Sequence, residues 1–485
     1  MIRKTIVLAV CGLAVGVKAQ DTRAVTEPKI PPVCVRLEAK LIATPDANGG
    51  HLRDEDEAKL DTERIQKALD GCKPGMAVEL APAGGNAAFL SGPLDMREGV
   101  TLLVDKGVTL YGSRDPKVYE IVLPDAKAGE PGKCGTSMAR PTTFPVQLAG
   151  DAAARRGGCR SLINVNVKNA GVMGEGTIDG RGYATILGKD YSWWQMARRA
   201  EPKDDLYYTP RLIVASHADG LVLYKISLHN SPNFHVAVNQ TNGFTAWSVH
   251  LLTPVQKGLD ARNTDGIDPG TSQNVTIAYS WIDNGDDNIA VKQGVSHMSV
   301  IHDHFYDGHG MSIGSETALG QSYLVVHDLT EDHTTSGIRI KSNVKRGGPV
   351  RDLIYKGICM RDVPVPIAIS PYYTNQTVEP FEDPKYEGDK IPDYKGIVLQ
   401  DIYAETPGDV LIAGLNDQHR TQVTLDNVWV KGIQPGQVHL DFADITTLEA
   451  GANFPLEGKS VKAVKAGVGE PPAGDPCAGK FVPMQ

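Results

Sequence analysis

Asn288-Ile289-Ala290-Val291-Lys292, Gly310-Met311-Ser312-Ile313-Gly314 and Gly337-Ile338-Arg339-Ile340-Lys341 are one short strand written three times, with starts 22 and then 27 residues apart. Ile289 and Val291, Met311 and Ile313, and Ile338 and Ile340 recur at a period of two, the pattern of a strand that buries one face. A second brief strand lies ahead of each: Val275-Thr276-Ile277, Ser299-Val300-Ile301 and Leu324-Val325-Val326. Later coils can be written at Asp352-Leu353-Ile354, Gly396-Ile397-Val398-Leu399 and Gln422-Val423-Thr424-Leu425. Many short strands without helices between them admit a sandwich, a barrel or a solenoid. Recurrence at roughly 20 to 50 residues, in units that cannot bury a core alone, selects the solenoid. The expected fold is all-β, a parallel β-helix.

Outward from that repeat, β-branched runs such as Val100-Thr101-Leu102-Leu103-Val104 carry the same pattern back toward the N-terminus. Residues 61–71 have a helical period instead, with Ile65, Ala68 and Leu69 on one stripe, Asp61 or Thr62 to cap the start and Gly71 to end it. A short helix there would cover the open end of the solenoid, as terminal units must. Residues 115–160 and 183–209 break the rhythm and are expected as loops. One catalytic β-helix domain over 20–450 is expected, and the Gly-, Pro- and Lys-rich stretch 451–485 as a loose tail.

Of the 485 residues, 41% are hydrophobic and 22% charged, which excludes a disordered chain and a multi-span membrane protein. Forty-nine basic against 58 acidic side chains give a net charge of −9. Duplex nucleic acid is a poor partner for that charge, and an acidic polymer would need a local basic patch. Arg3 and Lys4 precede an apolar run from Thr5 to Val17, and Val17-Lys18-Ala19 offers a cleavage point after Ala19. This is the layout of a secretory signal peptide, 1–19, and implies a secreted chain free of the membrane. The mature chain keeps six cysteines, an even count that suits disulfides in an oxidising compartment. The sequence-near pairs Cys34–Cys72 and Cys134–Cys159 are expected, with Cys359 and Cys477 left open.

Stacking turns the period into chemistry. Asp265 to Asp287 is 22 residues, and Asp287 to His309 is 22 again. Coils of that length stack the three side chains in one column, about 4.8 Å apart. The next coil supplies Arg339 and Lys341, which alternation turns away from the core filled by Ile338 and Ile340. With Asp286, one outer face carries three acids, an imidazole and two cations. Like charges so close cannot all ionise, so at least one carboxyl should keep its proton near neutral pH. Glycoside hydrolysis needs one protonated and one ionised carboxyl. The cations are superfluous for a neutral sugar and apt for one carrying a carboxylate. Taken singly, each signal has a structural explanation: Asx residues populate solenoid turns, and Arg339 and Lys341 fit any exposed strand face. Their coincidence on one face in successive coils carries the argument.

Four segments also carry a likeness. Asn263-Thr264-Asp265-Gly266-Ile267-Asp268, Asp286-Asp287-Asn288-Ile289-Ala290-Val291-Lys292, Gly308-His309-Gly310-Met311-Ser312-Ile313-Gly314-Ser315 and Arg339-Ile340-Lys341 resemble, in order and separation, the signature segments of the polygalacturonases, glycoside hydrolase family 28. Support comes from Gly176-Thr177-Ile178-Asp179-Gly180 and Asn230-Ser231-Pro232-Asn233-Phe234-His235, which look most like the secreted bacterial endo-acting enzymes. The resemblance implies a right-handed parallel β-helix hydrolysing α-1,4 bonds of polygalacturonate, the backbone of pectin, with inversion. It implies Asp286 as general acid, Asp265 and Asp287 as holders of the water, and His309 as the group that tunes the acid. It also implies Arg339 and Lys341 as carboxylate clamp, Asn263 in the binding set, and Tyr372 or Tyr373 beside the sugar. No metal or cofactor is implied, and the enzyme is expected as a monomer with pectin as its partner. The chain departs from this family at 115–160, at 183–209 and in the acidic segment 375–395. Loops that wall off one end of the groove would make it exo-acting. The rivals are a pectate lyase and a non-catalytic carbohydrate-binding solenoid with long uniform repeats and aromatic ladders.

Overall fold

Ile267, Ile289, Met311, Ile338 and Ile367 pair in register across five successive parallel strands, and all five side chains are fully buried. That inward column is the spine of the core, because each coil can bury its apolar residues only against the coils on either side. The structure, a computed structural model, describes residues 20–46, 50–122, 132–139, 158–203, 205–253, 261–448, 450–465, 472 and 474–484. The expected signal peptide and much of the loop 115–160 lie outside these residues.

Among the described residues, eleven parallel strands form the face that matters for the site. They run from Leu94–Asp95 through Ile163–Val165, Ile213–Ser216, Val236–Asn239, Ile267–Gly270, Ile289–Val291, Met311–Gly314, Ser336–Lys341, Val365–Ser370 and Val410–Ala413 to Val438–Asp441. Two further parallel ladders make the other faces. They merge in Pro349–Arg361, which pairs with Gln321–His327 along its first part and with Thr330–Asp332 along its second. The result is a right-handed parallel β-helix. Its corners are single residues in the left-handed region. Lys225, Ser248, Tyr279, His302 and Asp328 have φ of 59°, 51°, 55°, 57° and 56° and stand one above another. At that corner the rings of Trp247 and Tyr279 meet tilted, 4.8 Å between centres, and those of Tyr279 and His302 stack at 4.9 Å.

Thr62–Gly71 is the expected capping helix, with Ile65 and Leu69 fully buried in the core. Asp61 precedes it but spends its carboxylate on Arg64 (Nε–Oδ1 3.0 Å), and the helix ends at Cys72. A second helix, Trp193–Ala200, lies inside 183–209, which was expected as a loop. Eight residues are too few to show a period in sequence, yet Ser192 and Gln195 close a capping box (Gln195 N to Ser192 Oγ 3.2 Å, Ser192 N to Gln195 Oε1 2.9 Å). Trp193 and Trp194 anchor it.

Disulfides join Cys34–Cys72, Cys134–Cys159 and Cys359–Cys477. The last of these corrects the expectation of a loose tail. Lys462–Lys465 adds a parallel strand beside Ala443–Thr447, Tyr306 donates to the carbonyl of Val482 at 2.6 Å, and Lys480 sits 3.2 Å from Asp328. The first described residues are fastened as well: Asp21 N–H donates to Ser299 Oγ (3.0 Å), Thr276 donates to Asp21 (2.7 Å), and Arg23 donates to the carbonyl of Phe244 (2.9 Å). No described helix is long and apolar enough to cross a membrane.

Candidate active site

Asp265, Asp287 and His309 each lie two residues ahead of a paired core residue, Ile267, Ile289 and Met311, so the register aligns them on consecutive coils. Together with Asp286 they line a cleft of about 840 Å3 on the eleven-stranded face. The four groups share a wall but not an environment.

Asp287 is the meeting point of the cations. Lys341 Nζ lies 2.7 and 3.0 Å from its two oxygens, Arg339 Nη1 donates at 3.1 Å, and Ser312 Oγ donates at 2.7 Å. Burial alone would raise its carboxyl, but the charges of Lys341 and Arg339 prevail and hold it below the usual range. Asp286 Oδ1 is 3.3 Å from His309 Nδ1 and accepts the Asp287 N–H at 2.9 Å, while Oδ2 accepts from Asn263 Nδ2 at 3.3 Å. Burial again pushes upward, and His309, Lys341 and that backbone N–H outweigh it.

Asp265 is placed differently. Its Oδ2 lies 3.4 Å from Lys292 Nζ, and its Oδ1 has no hydrogen-bond partner among the described residues. Burial, then the charges of Asp268 and Asp286, drive its carboxyl well above the usual range. Asp268 shares Lys292 at 3.4 Å and is pushed up to about 6, chiefly by burial. Of these carboxyls, Asp265 and Asp268 are pushed towards the protonated form, whereas Asp286 is held towards the ionised form beside His309.

Local structure explains these placements. Asn263 takes a left-handed turn (φ 53°), and its Oδ1 accepts from the Tyr207 hydroxyl. Beneath Asp265, buried His235 has Nδ1 3.2 Å from the carbonyls of Thr264 and Asp265 and Nε2 2.9 Å from Thr253 Oγ1. Burial pushes its pKa down to about 4, so it stays neutral and pins that backbone. Of the two candidate tyrosines, Tyr372 is 1% exposed and donates to the carbonyl of Gly414 below the surface. Tyr373 is the one in the cleft, with Lys341 Nζ 5.4 Å from its ring centre.

Arg339 and Lys341 do turn away from the Ile338–Ile340 core, but both are buried and aimed at Asp287. Arg339 also binds Glu379, which the sequence did not single out because it lies in the non-repeating segment 375–395. Asp268 and Lys292 are further members of the site that strand alternation could have found, since each follows an inward Ile267 or Val291. Arg262, Lys345 and Arg346 complete the basic lining that an acidic substrate requires.

Asp286, Asp287 and His309 could each offer an atom to one metal ion. However, an ammonium and a guanidinium already occupy the oxygens of Asp287, which makes the trio a poor cation site. In the trio Glu405, Asp475 and Cys477 the sulfur is locked in a disulfide.

Comparison with known proteins gives this geometry relatives. The family described as Glycosyl hydrolases family 28 matches residues 122–447. An endo-polygalacturonase of Pectobacterium parmentieri is 39% identical over 416 residues, covering 84% of this chain and 90% of its own. A polygalacturonase of Ralstonia solanacearum is 33% identical over 482 residues, covering 88% and 85%. The solved polygalacturonase from Erwinia carotovora ssp. carotovora superposes with a TM-score of 0.70 at 35% identity, covering 91% of this chain and 100% of that one. A family match over more than half the sequence, with a relative 39% identical across most of it, makes this chain a member of glycosyl hydrolases family 28.

Proposed function

We propose that the chain is a secreted endo-polygalacturonase that cleaves α-1,4-galacturonosidic bonds within pectin, with inversion at the anomeric carbon. The observation that carries this reading is a wall of three acids, Asp265, Asp286 and Asp287, ringed by Lys341, Lys345, Arg346 and Arg262 in a chain of net charge −9. Cations gathered against the overall charge suit a sugar with a carboxylate on every ring. Endo action is supported by the name of the Pectobacterium relative, and export by the apolar leader and three disulfides.

In this mechanism Asp286, with His309 Nδ1 3.3 Å away, is the general acid. Asp286 delivers a proton to the glycosidic oxygen as the bond from that oxygen to the anomeric carbon breaks. Asp265, once ionised, takes a proton through its unpartnered Oδ1 from the attacking water, whose oxygen bonds to the opposite side of the carbon. Asp287, kept ionised, orients that water and offsets the positive charge of the oxocarbenium-like transition state. Tyr373 flanks the sugar.

The test is a time course on de-esterified polygalacturonate that follows viscosity, reducing ends and ultraviolet absorbance together. Early viscosity collapse with few new ends is the expected result. Ends rising while viscosity holds would mean exo action, and unsaturated products would mean a lyase.

A further inference from the structure

Two arginines from different elements close on one acid inside the cleft. Arg198, on the helix Trp193–Ala200, has Nη1 2.8 Å from Glu201 Oε2, and Arg262, three residues ahead of Asp265, donates from Nη1 to Glu201 Oε1. All three line the cleft, with 38%, 29% and 37% of the Arg198, Arg262 and Glu201 side chains exposed. Their platform is firm: Trp193 and Trp194 are buried, Trp194 Nε1 donates to the carbonyl of Ser231 at 2.9 Å, and Tyr207 donates to Asn263.

An ion pair this exposed contributes little to the fold. What it displays is a pair of guanidiniums set to hold a carboxylate that solvent can reach. Its place in the cleft matters as much. Arg262 leads into Ile267–Gly270, whereas Lys341 ends Ser336–Lys341, three strands further along the same face. Three strand spacings are about 14 Å, more than one sugar ring covers, so the two ends must meet different units of a chain. The charge of Asp286 also acts on Arg262. A nearer partner in Glu201 keeps that guanidinium from bonding an acid that must carry a proton to work. Resting on the reading above, we propose that Arg198 and Arg262 form a second galacturonate-carboxylate subsite, across the acids from Lys341, and that Glu201 occupies it until the polymer arrives.

The test follows kcat and KM for wild type, Arg262→Gln and Glu201→Gln on galacturonate oligomers of rising length. Arg262→Gln keeps a donor and loses the charge. Its kcat/KM should fall about tenfold further on an oligomer that spans the cleft than on the shortest one cut, because only a long chain reaches both ends. Glu201→Gln frees the guanidiniums from their resident acid, so its KM on the long oligomer should drop about threefold. A mere brace between helix and catalytic coil predicts rates lowered alike at every length in both variants. That pattern, or a KM in Glu201→Gln at or above wild type on the long oligomer, would overturn the inference. Thermal midpoints should stay near wild type for so exposed a pair, which separates lost binding from a lost fold. A wild type that fails to cut polygalacturonate defeats the functional reading, whereas an active wild type with losses independent of length defeats this one.

Discussion

Lys341 spans both oxygens of Asp287, at 2.7 and 3.0 Å, with both side chains almost wholly enclosed. The pair divides the labour of the cleft. Asp287 is held towards the ionised state, and the carboxyls pushed the other way are Asp265 and its neighbour Asp268.

Lys341→Met should strand Asp287 as a buried carboxyl with half its support. Removing one partner of such a pair costs about 3 kcal/mol, so the urea midpoint should fall visibly. The rate on polygalacturonate should fall by roughly a hundredfold as well. Wild-type stability in this variant would mean the pair contributes nothing.

Asp286→Asn keeps the hydrogen bonds to Asn263 and His309 within reach but has no proton to give. Loss of a general acid lowers the rate by about 10²- to 10⁴-fold, and thermal stability should hardly change. Activity above a tenth of wild type would remove Asp286 from that role.

If Asp265 is the proposed acceptor of the water's proton, it must be ionised to act, and the acid limb of the pH–rate profile belongs to it. Its carboxyl is raised, so activity appears as pH climbs through that value. Lys292→Met removes the cation that favours ionisation and should move the limb to higher pH by about one unit. Asp268→Asn removes a competing negative charge and should move it to lower pH. Shifts in the same direction in both variants would contradict this account.

Glu331 lies inside the helix, where Oε1 accepts the Met311 N–H at 3.1 Å and burial pushes its carboxyl up to about 8. Unfolded, it titrates near 4.5. Between those values the folded chain keeps a proton that the unfolded chain has lost. Its stabilising effect is complete below the lower value and is lost as pH rises through the upper one, at up to about 1.4 kcal/mol per pH unit. Thermal midpoints from about pH 5 to 8 should therefore decline less steeply in Glu331→Gln than in wild type. Parallel slopes would mean Glu331 is ionised in the fold.

The repeat is legible because a solenoid writes its core into the sequence: Ile289, Met311 and Ile338 must recur for the coils to stack, and Asp265, Asp287 and His309 are carried along at a fixed offset. Periodicity stops helping where the chain leaves the coils. Glu379 sits in a segment without a repeat, so neither its burial nor its hold on Arg339 has a sequence signal. The choice between Tyr372 and Tyr373 turns on which of two adjacent residues faces outward after a strand has ended, and alternation no longer applies there. Trp193–Ala200 is too short to declare itself. Where the proton rests depends on differences in partners, Lys292 for one acid and Lys341 with Arg339 for another, which spacing alone does not reveal.

The first and last described segments close on the same stretch of the molecule. Asp21 is fastened at Thr276 and Ser299, while Val482, Lys480 and Cys477 return to Tyr306, Asp328 and Cys359. The coils between these points hold Asp286, Asp287, His309 and the paired cations. A stacked array ordinarily loosens from its extremities inward, leaving the middle intact longest. Here those outlying segments are the middle's own bindings, so losing the anchors at Asp21 or at Cys477, Lys480 and Val482 would slacken the working centre before it disturbed the terminal coils.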